Sequence, residues 1–223
     1  MTVTCIIPFF NERDRILKVL DGIVKIKGID QFLLIDDGST DGSAELVRKH
    51  YPKLTIIRNP KNLGKTEAIS VGLKQTKGTH VFLLDADLQN FQYKEVENAI
   101  LAVKNAPTID MIILKRKNKR LLRANTLISG ERILQKQDLL ELLAAYQPKG
   151  FQVELAINQY MLENHKNVYW MPISAVNTSS IKKRGVISGI QKIIGMHIEI
   201  VTYIGLYNTF RQVLSLAKSE YIS

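Results

Sequence analysis

The chain has 223 residues, 45% of them hydrophobic, and a formal charge of +10. That length supports one sizeable core, while the single cysteine, Cys5, excludes an internal disulfide framework. The charge points to an anionic partner, but dispersed lysines, no zinc-ligand spacing and no aromatic RNA-binding signature argue that this partner is not a nucleic acid.

A first strand is predicted over 3–7, followed by a helical pattern over 12–25. No basic region and apolar stretch precede that strand, so no secretory signal is expected. With Cys5 inside the apolar run, the reading is cytoplasmic. Further strands are predicted at 31–35, 54–57, 80–84 and 109–114, with helical patterns at 42–50, 64–76 and 93–104 between them. Strands alternating with helices imply βαβ units, a mostly parallel sheet, and helices on both of its faces. The alternation fades after Leu114. Lys115-Arg-Lys-Asn-Lys-Arg120 reads as an exposed basic loop, 125–135 as a strand and turn, and 136–146 as a helix broken by Pro148-Lys-Gly150. Helical spacing returns from Gly150 to Asn164, with Phe151, Leu155, Ile157, Tyr160 and Met161 available for packing, and a late strand follows over 167–173.

A polar, basic linker from Asn177 to Gly185 leads into a tail in which Ile190, Ile194, Ile198, Val201 and Ile204 share one helical face. Its longest strongly apolar, uncharged stretch runs only from Ile200 to Phe210. A spanning helix needs ~20 such residues, so no transmembrane segment is expected. Lys182-Lys-Arg184 ahead of an amphipathic stretch is a pattern that lies in a membrane interface. The other readings of the tail are a helix packed on the domain and a homodimer contact.

Two acidic clusters close apolar runs. Phe32–Ile35 runs into Asp36-Asp37-Gly38-Ser39-Thr40-Asp41, and Val81–Leu84 runs into Asp85-Ala86-Asp87-Leu88-Gln89. Parallel strands present their carboxyl ends to a ligand crevice, so both clusters should open on one edge of the sheet. Carboxylates gathered there need a cation or donors to offset their repulsion. Hard oxygen donors suit Mg²⁺ or Mn²⁺ bridging to phosphate, and Asp85, Asp87 and the neutral oxygen of Gln89 are the candidates. Asp41 is explained as a cap for the helix starting near Gly42. Asp36 and Asp37 are not, and are read as acceptors for a ribose or a base edge. Asn11 and Glu12 end the first strand on the same edge, Asn11 as a helix cap and Glu12 as a further ribose acceptor. Asn62-Leu-Gly64-Lys65-Thr66 resembles part of a phosphate loop, but Asn59 stands where a P-loop needs glycine. Gly64 is then a turn, with Lys65 facing the nucleotide. The four histidines show no metal-ligand spacing.

Taken together, Ile6-Ile-Pro-Phe-Phe-Asn-Glu12, Ile35–Asp41, Asn62-Leu-Gly-Lys65 with Ala68 and Gly72, and Asp85–Gln89 resemble the family 2 nucleotide-sugar glycosyltransferases of GT-A fold. The resemblance is closest to the branch of polyprenyl-phosphate sugar transferases. It continues more weakly through Ser129-Gly-Glu-Arg132, Gly150-Phe-Gln-Val-Glu154 and Asn167–Pro172. It implies an α/β GT-A domain over 1–184, with a donor-nucleotide half (1–89) and an acceptor half (90–184), followed by an amphipathic helical tail over 185–223. Pro8, Glu12, Asp36, Asp37, Lys65 and Asp85 would serve the nucleotide, and Asp85, Asp87 and Gln89 the metal. Arg116, Ser129 and Arg132 would bind phosphate, since the planar guanidinium fork suits that task. Asp87, Arg132 and Glu154 would carry the chemistry.

The implied reaction moves a sugar, with inversion, from a UDP- or GDP-linked donor to an acceptor oxygen. Glu154 is followed by Leu155, so a paired Glu-Asp signature for a general base is absent. A phosphate monoester, with a second pKa of about 6, is ionised without help. The expectation is therefore a lipid-phosphate acceptor, held by the basic stretch Lys115–Arg123, at the cytoplasmic face of a membrane. The alternatives are a saccharide hydroxyl with Glu154 as base, or an inactive nucleotide-sugar-binding subunit. A phosphoacceptor signalling domain also gathers aspartates at strand ends, but needs about half this length and leaves Asp85-Ala-Asp87 unexplained.

Overall fold

The computed structural model describes residues 1–116, 129–150 and 152–177, together with 202, 203, 205, 207–209, 211, 212, 214, 215, 220 and 221. The elements run β1 (Val3–Phe9), α1 (Ile16–Ile23), β2 (Gln31–Asp36), α2 (Ser43–His50), β3 (Thr55–Arg58), α3 (Lys65–Lys74), β4 (His80–Leu83), β5 (Leu88–Gln89) and α4 (Tyr93–Asn105). They continue with β6 (Met111–Arg116), β7 (Arg132–Gln135), α5 (Lys136–Tyr146), α6 (Gln152–Glu163), β8 (Val168–Ile173) and β9 (Val176–Asn177).

Seven strands form one sheet in the order β3-β2-β1-β4-β7-β6-β8. Its strands run parallel except β7, which is antiparallel to both β4 and β6. β5 and β9 pair separately. Successive side chains of a strand face opposite sides, and the two cores follow from that. On β1, Val3, Cys5, Ile7 and Phe9 pack with α1, α2 and α4, whereas Ile6 packs with α3, α5 and α6. β2 and β4 divide likewise, Leu34 and Phe82 to one side and Leu33 and Val81 to the other. A strand buried on both faces reads as an unbroken apolar run, which is why β1, β2 and β4 are legible from sequence.

Two boundaries and one cap differ from the expectation. α1 begins at Ile16 rather than near residue 12, because Asn11 sits at a φ of 54° and the chain first makes a turn closed by Glu12. Asn11 does not cap that helix; its Oδ1 accepts from the Thr40 amide at 2.9 Å. β6 runs on through Lys115 and Arg116, which were expected in the basic loop, because β8 pairs with it as far as Arg116. Lys115 there lies 4.3 Å from the centre of the Trp170 ring, a cation–π contact. The rest of the basic stretch, Lys117 to Arg123, is outside the described residues.

The described part of the C-terminal segment packs on the domain. Gln212 is buried against α6. Tyr221 meets the Tyr169 ring edge to face at 5.9 Å and donates its amide to Trp170 on β8. Lys182–Arg184, Ile190, Ile194, Ile198, Val201 and Ile204 are outside the described residues. Among the described residues no helix is long and apolar enough to cross a membrane.

Candidate active site

Parallel β1, β2, β4 and β6 deliver Pro8, Asp36-Asp37, Asp85 and Arg116 to one edge of the sheet. The antiparallel strand β7 begins where its neighbours end, so it brings Ser129, Gly130, Glu131 and Arg132 to that same edge. The first turns of α3 and α6 add Lys65 and Glu154.

Lys65 is the hinge of the arrangement. Its ammonium lies 2.6 Å from Asp85 Oδ1 and 2.5 Å from Glu154 Oε1. Burial opposes its charge, but the two carboxylates outweigh that and hold Lys65 well above its ordinary pKa. Thr66 Oγ1 donates to the Gly150 carbonyl at 3.0 Å, which fixes the start of α3 against the turn before α6. Gly130 lies against the other flank of Asp85. A β-carbon there would stand 2.5 Å from Asp85 Oδ2, closer than any real contact, so only glycine lets β7 enter beside that carboxylate.

Glu131, not singled out in the sequence, is fully buried beside this cluster. Burial, reinforced by the charge of Asp85, pushes its carboxyl up to about 7 against the opposing pull of Arg116, Ser129 and Lys65. Arg116 Nη2 is 3.9 Å away, close enough to feel the carboxylate and too far to hydrogen-bond it. The only sequence signal was an acidic residue directly after Gly130 at the start of an apolar strand.

Arg132 and Ser129, expected as phosphate ligands, are both enclosed and hydrogen-bonded within the protein. Arg132 has no exposed surface. Its Nε donates to the Ser129 carbonyl at 2.7 Å, and its Nη1 donates to Asn158 Oδ1 at 2.6 Å and to the Glu154 carbonyl at 3.1 Å. Burial pulls it down to about 10 while Glu154, Glu131 and Asp85 push it up, so it stays charged at neutral pH. The Ser129 hydroxyl is likewise enclosed, 2.7 Å from the Leu114 carbonyl and 2.9 Å from Glu131 Oε2. Both side chains point into the protein because β7 is a central strand.

The first acidic cluster is also more structural than expected. Asp36 is buried; its Oδ1 accepts from the Ser39 amide at 2.8 Å, and Arg58 Nε stands 3.2 Å from its Oδ2. Asp37 accepts from Asn59 Nδ2 and the Leu63 amide on Oδ1 and from the Gly64 amide on Oδ2, at 2.8, 3.0 and 2.8 Å. Gly38, at a φ of 77°, lets the Lys61 backbone approach so near that a β-carbon would lie 2.5 Å from it. Asp41 does not cap α2, whose N-cap is Gly42; its Oδ1 accepts from the Ser43 amide at 3.0 Å and closes the turn ahead of the helix. Glu12 pairs with Arg15, and Arg15 in turn feels Asp87. The backbone of Gln89 pairs with Val176; its side chain is outside the described residues.

Among the described residues no three histidine, cysteine or acidic side chains gather into a ready cage for a metal. Mg²⁺ and Mn²⁺ do not require one, since one or two carboxylates plus substrate phosphates and waters complete their shell. Asp85 and Asp87, half-buried at a strand exit with hard oxygens, fit that donor set.

The family described as "Glycosyl transferase family 2" matches residues 4–156. A dolichyl-phosphate beta-glucosyltransferase of Trichomonas vaginalis is 28% identical over 136 residues, covering 53% of this chain and 42% of that protein. An undecaprenyl-phosphate 4-deoxy-4-formamido-L-arabinose transferase of Proteus mirabilis is 31% identical over 127 residues, covering 53% of this chain and 38% of that protein. The alignments thus span less than half the length of these two relatives. Glucosyl-3-phosphoglycerate synthase from Mycobacterium tuberculosis, solved with Mn²⁺, uridine diphosphate and phosphoglyceric acid, superposes with a TM-score of 0.69. That likeness covers 96% of this chain and 79% of the other at 19% identity, and establishes the GT-A fold. With the family match running over more than half of its residues, from β1 into α6, the chain belongs to glycosyl transferase family 2.

Proposed function

We propose that the protein is a metal-dependent, inverting transferase that moves a sugar from a nucleotide diphosphate sugar to a polyprenyl phosphate. The observation that carries this reading is the Asp85–Lys65–Glu154 arrangement at the exit of β4. Pro8, Glu12 and the loops organised by Asp36 and Asp37 would line the nucleoside. A divalent cation held by Asp87 and Asp85, with Gln89 as a further ligand, would neutralise the diphosphate as it leaves. Lys65, paired with Asp85, would orient that carboxylate, and Arg116 would meet a second phosphate.

In the reaction an acceptor oxygen forms a bond to the anomeric carbon. The bond from that carbon to the diphosphate breaks, and its electron pair leaves with the diphosphate. A hydroxyl acceptor must also lose a proton. Glu154 is poorly placed to take it: Oε1 is engaged by the Lys65 ammonium, and Oε2 is buried. A phosphate monoester with a second pKa of about 6 needs no base. The names of the two relatives, both transferases to polyprenyl phosphates, support the same acceptor. The basic stretch after Arg116 and the C-terminal segment are the parts we assign to a peripheral membrane contact.

The test is release of nucleoside diphosphate from a panel of UDP- and GDP-sugars, with Mn²⁺ or Mg²⁺, with and without a polyprenyl phosphate. Release stimulated by the lipid phosphate is expected. Donor turnover with saccharide acceptors alone would overturn the lipid assignment, and donor binding without turnover on any acceptor would leave the binding-subunit alternative.

A further inference from the structure

The buried polar groups of the second half form one chain that starts outside the carboxylate cluster. Arg132 donates into the first turns of α6, to the Glu154 carbonyl and to Asn158 Oδ1. Asn158, fully enclosed one turn further on, donates from Nδ2 to Gln212 Oε1 at 3.2 Å. Gln212 lies in the C-terminal segment, 54 residues away in sequence, and is 1% exposed. The direction of the chain is forced. A guanidinium only donates, so Asn158 must turn its oxygen to Arg132 and its amide nitrogen to Gln212, and Gln212 must present its oxygen.

Packing alone does not call for glutamine at this place. An apolar side chain of similar volume fills the same space without desolvating an amide, and Gln212 Nε2 has no hydrogen-bond partner among the described residues. What the glutamine supplies is an acceptor for Asn158, and Asn158 shares Arg132 with the carbonyl of Glu154. The other end of Glu154 holds Lys65, and Lys65 holds Asp85.

We propose that Gln212 is a positioning residue for the site: through Asn158 and Arg132 it holds the first turn of α6, and with it the Glu154–Lys65–Asp85 arrangement. The C-terminal segment is then a working part of the transferase and not an appendage to it. For its turnover readout the proposal rests on the transferase reading; for its Lys65 reactivity readout it does not.

The experiment uses the full chain carrying Gln212→Leu, Gln212→Glu, Asn158→Leu, and Gln212→Leu with Asn158→Leu. The first readout is the rate at which Lys65 is acetylated by a small amine-reactive reagent, followed by mass spectrometry in the absence of ligand. Gln212→Leu is expected to raise that rate about threefold by loosening Glu154 from Lys65, within the range of coupling such networks carry. Gln212→Glu, which keeps the acceptor, should restore the wild-type rate. The double variant should match Asn158→Leu alone, since the link is already cut. The second readout is turnover, expected to fall about five- to tenfold in Gln212→Leu with the donor KM within about twofold. Should Gln212→Leu not fold, Gln212→Met takes its place with the same expectation. Unchanged Lys65 reactivity in folded Gln212→Leu overturns the proposal whatever its stability. A raised reactivity in a protein that transfers no sugar from any donor sinks the transferase reading and leaves the positioning intact.

Discussion

The two acidic clusters look alike in sequence and are held in opposite ways. Asp36, Asp37 and Asp41 accept mainly from backbone amides of the loops around them, those of Ser39, Leu63, Gly64, Ser43 and Arg13, with Asn59 Nδ2 also on Asp37 and Arg58 beside Asp36. They are turn architecture that shapes a pocket. Asp85 instead meets a side-chain ammonium from α3, shares it with Glu154 from α6, and feels Glu131 just ahead of β7. There the three carboxylates share the Lys65 ammonium and feel the Arg116 and Arg132 guanidinium groups. Carboxylates satisfied by loop amides are turn architecture, whereas ionisable groups gathered from distant elements are what a metal diphosphate can engage.

The largest test of that difference is Lys65→Met. It leaves Asp85, Glu154 and Glu131 together without their ammonium, and uncompensated buried charge costs about 3–5 kcal/mol. Urea unfolding at pH 7 measures it; a loss below about 1 kcal/mol would mean that solvent already screens the cluster. Asp87→Asn is expected to abolish metal-dependent turnover, by at least about a hundredfold, with little change in stability. Wild-type rates in that variant sink the metal assignment.

Glu131 gives a pH test. Its carboxyl is held above its unfolded value of 4.5, at about 7. The folded state therefore keeps a proton that the unfolded chain has released, and stability falls as pH rises from about 4.5 to 7. Glu131→Gln should remove that fall and raise stability at pH 8, by on the order of 2 kcal/mol. A Tm–pH profile identical to wild type would show that Glu131 ionises freely. The smallest effect belongs to the first cluster. Asp41→Ala removes the acceptor of the Ser43 amide, costing about 1 kcal/mol, and should leave turnover unchanged. A turnover loss larger than the stability loss would place Asp41 at the ligand.

Much of this was legible before the fold. Apolar runs on β1, β2 and β4 mark strands buried on both faces, and β2 and β4 each end in an acidic cluster. The motifs that signal the family lie in those strand exits, where the chain must combine a turn with ligand contacts. Less legible was the second half. Nothing in Ser129-Gly-Glu-Arg132 says that β7 runs against its neighbours, yet that direction decides which of its side chains face the crevice. Arg132 reads as a phosphate ligand because arginine is rarely enclosed. Its burial depends on Asn158 and the Glu154 carbonyl, supplied by a helix that comes later in the chain.

Local sequence therefore determined the strand–helix alternation, the Asp41–Ser43 turn and the family, because each rests on residues within one strand and the turn after it. The pairing of Lys65 with both Asp85 and Glu154, the burial of Arg132 and Glu131, and the link from Gln212 to α6 were decided only in three dimensions. Each joins residues from elements far apart in sequence, and hydrogen-bond partners and desolvation are properties of what packs around a group, not of the group's own neighbours along the chain.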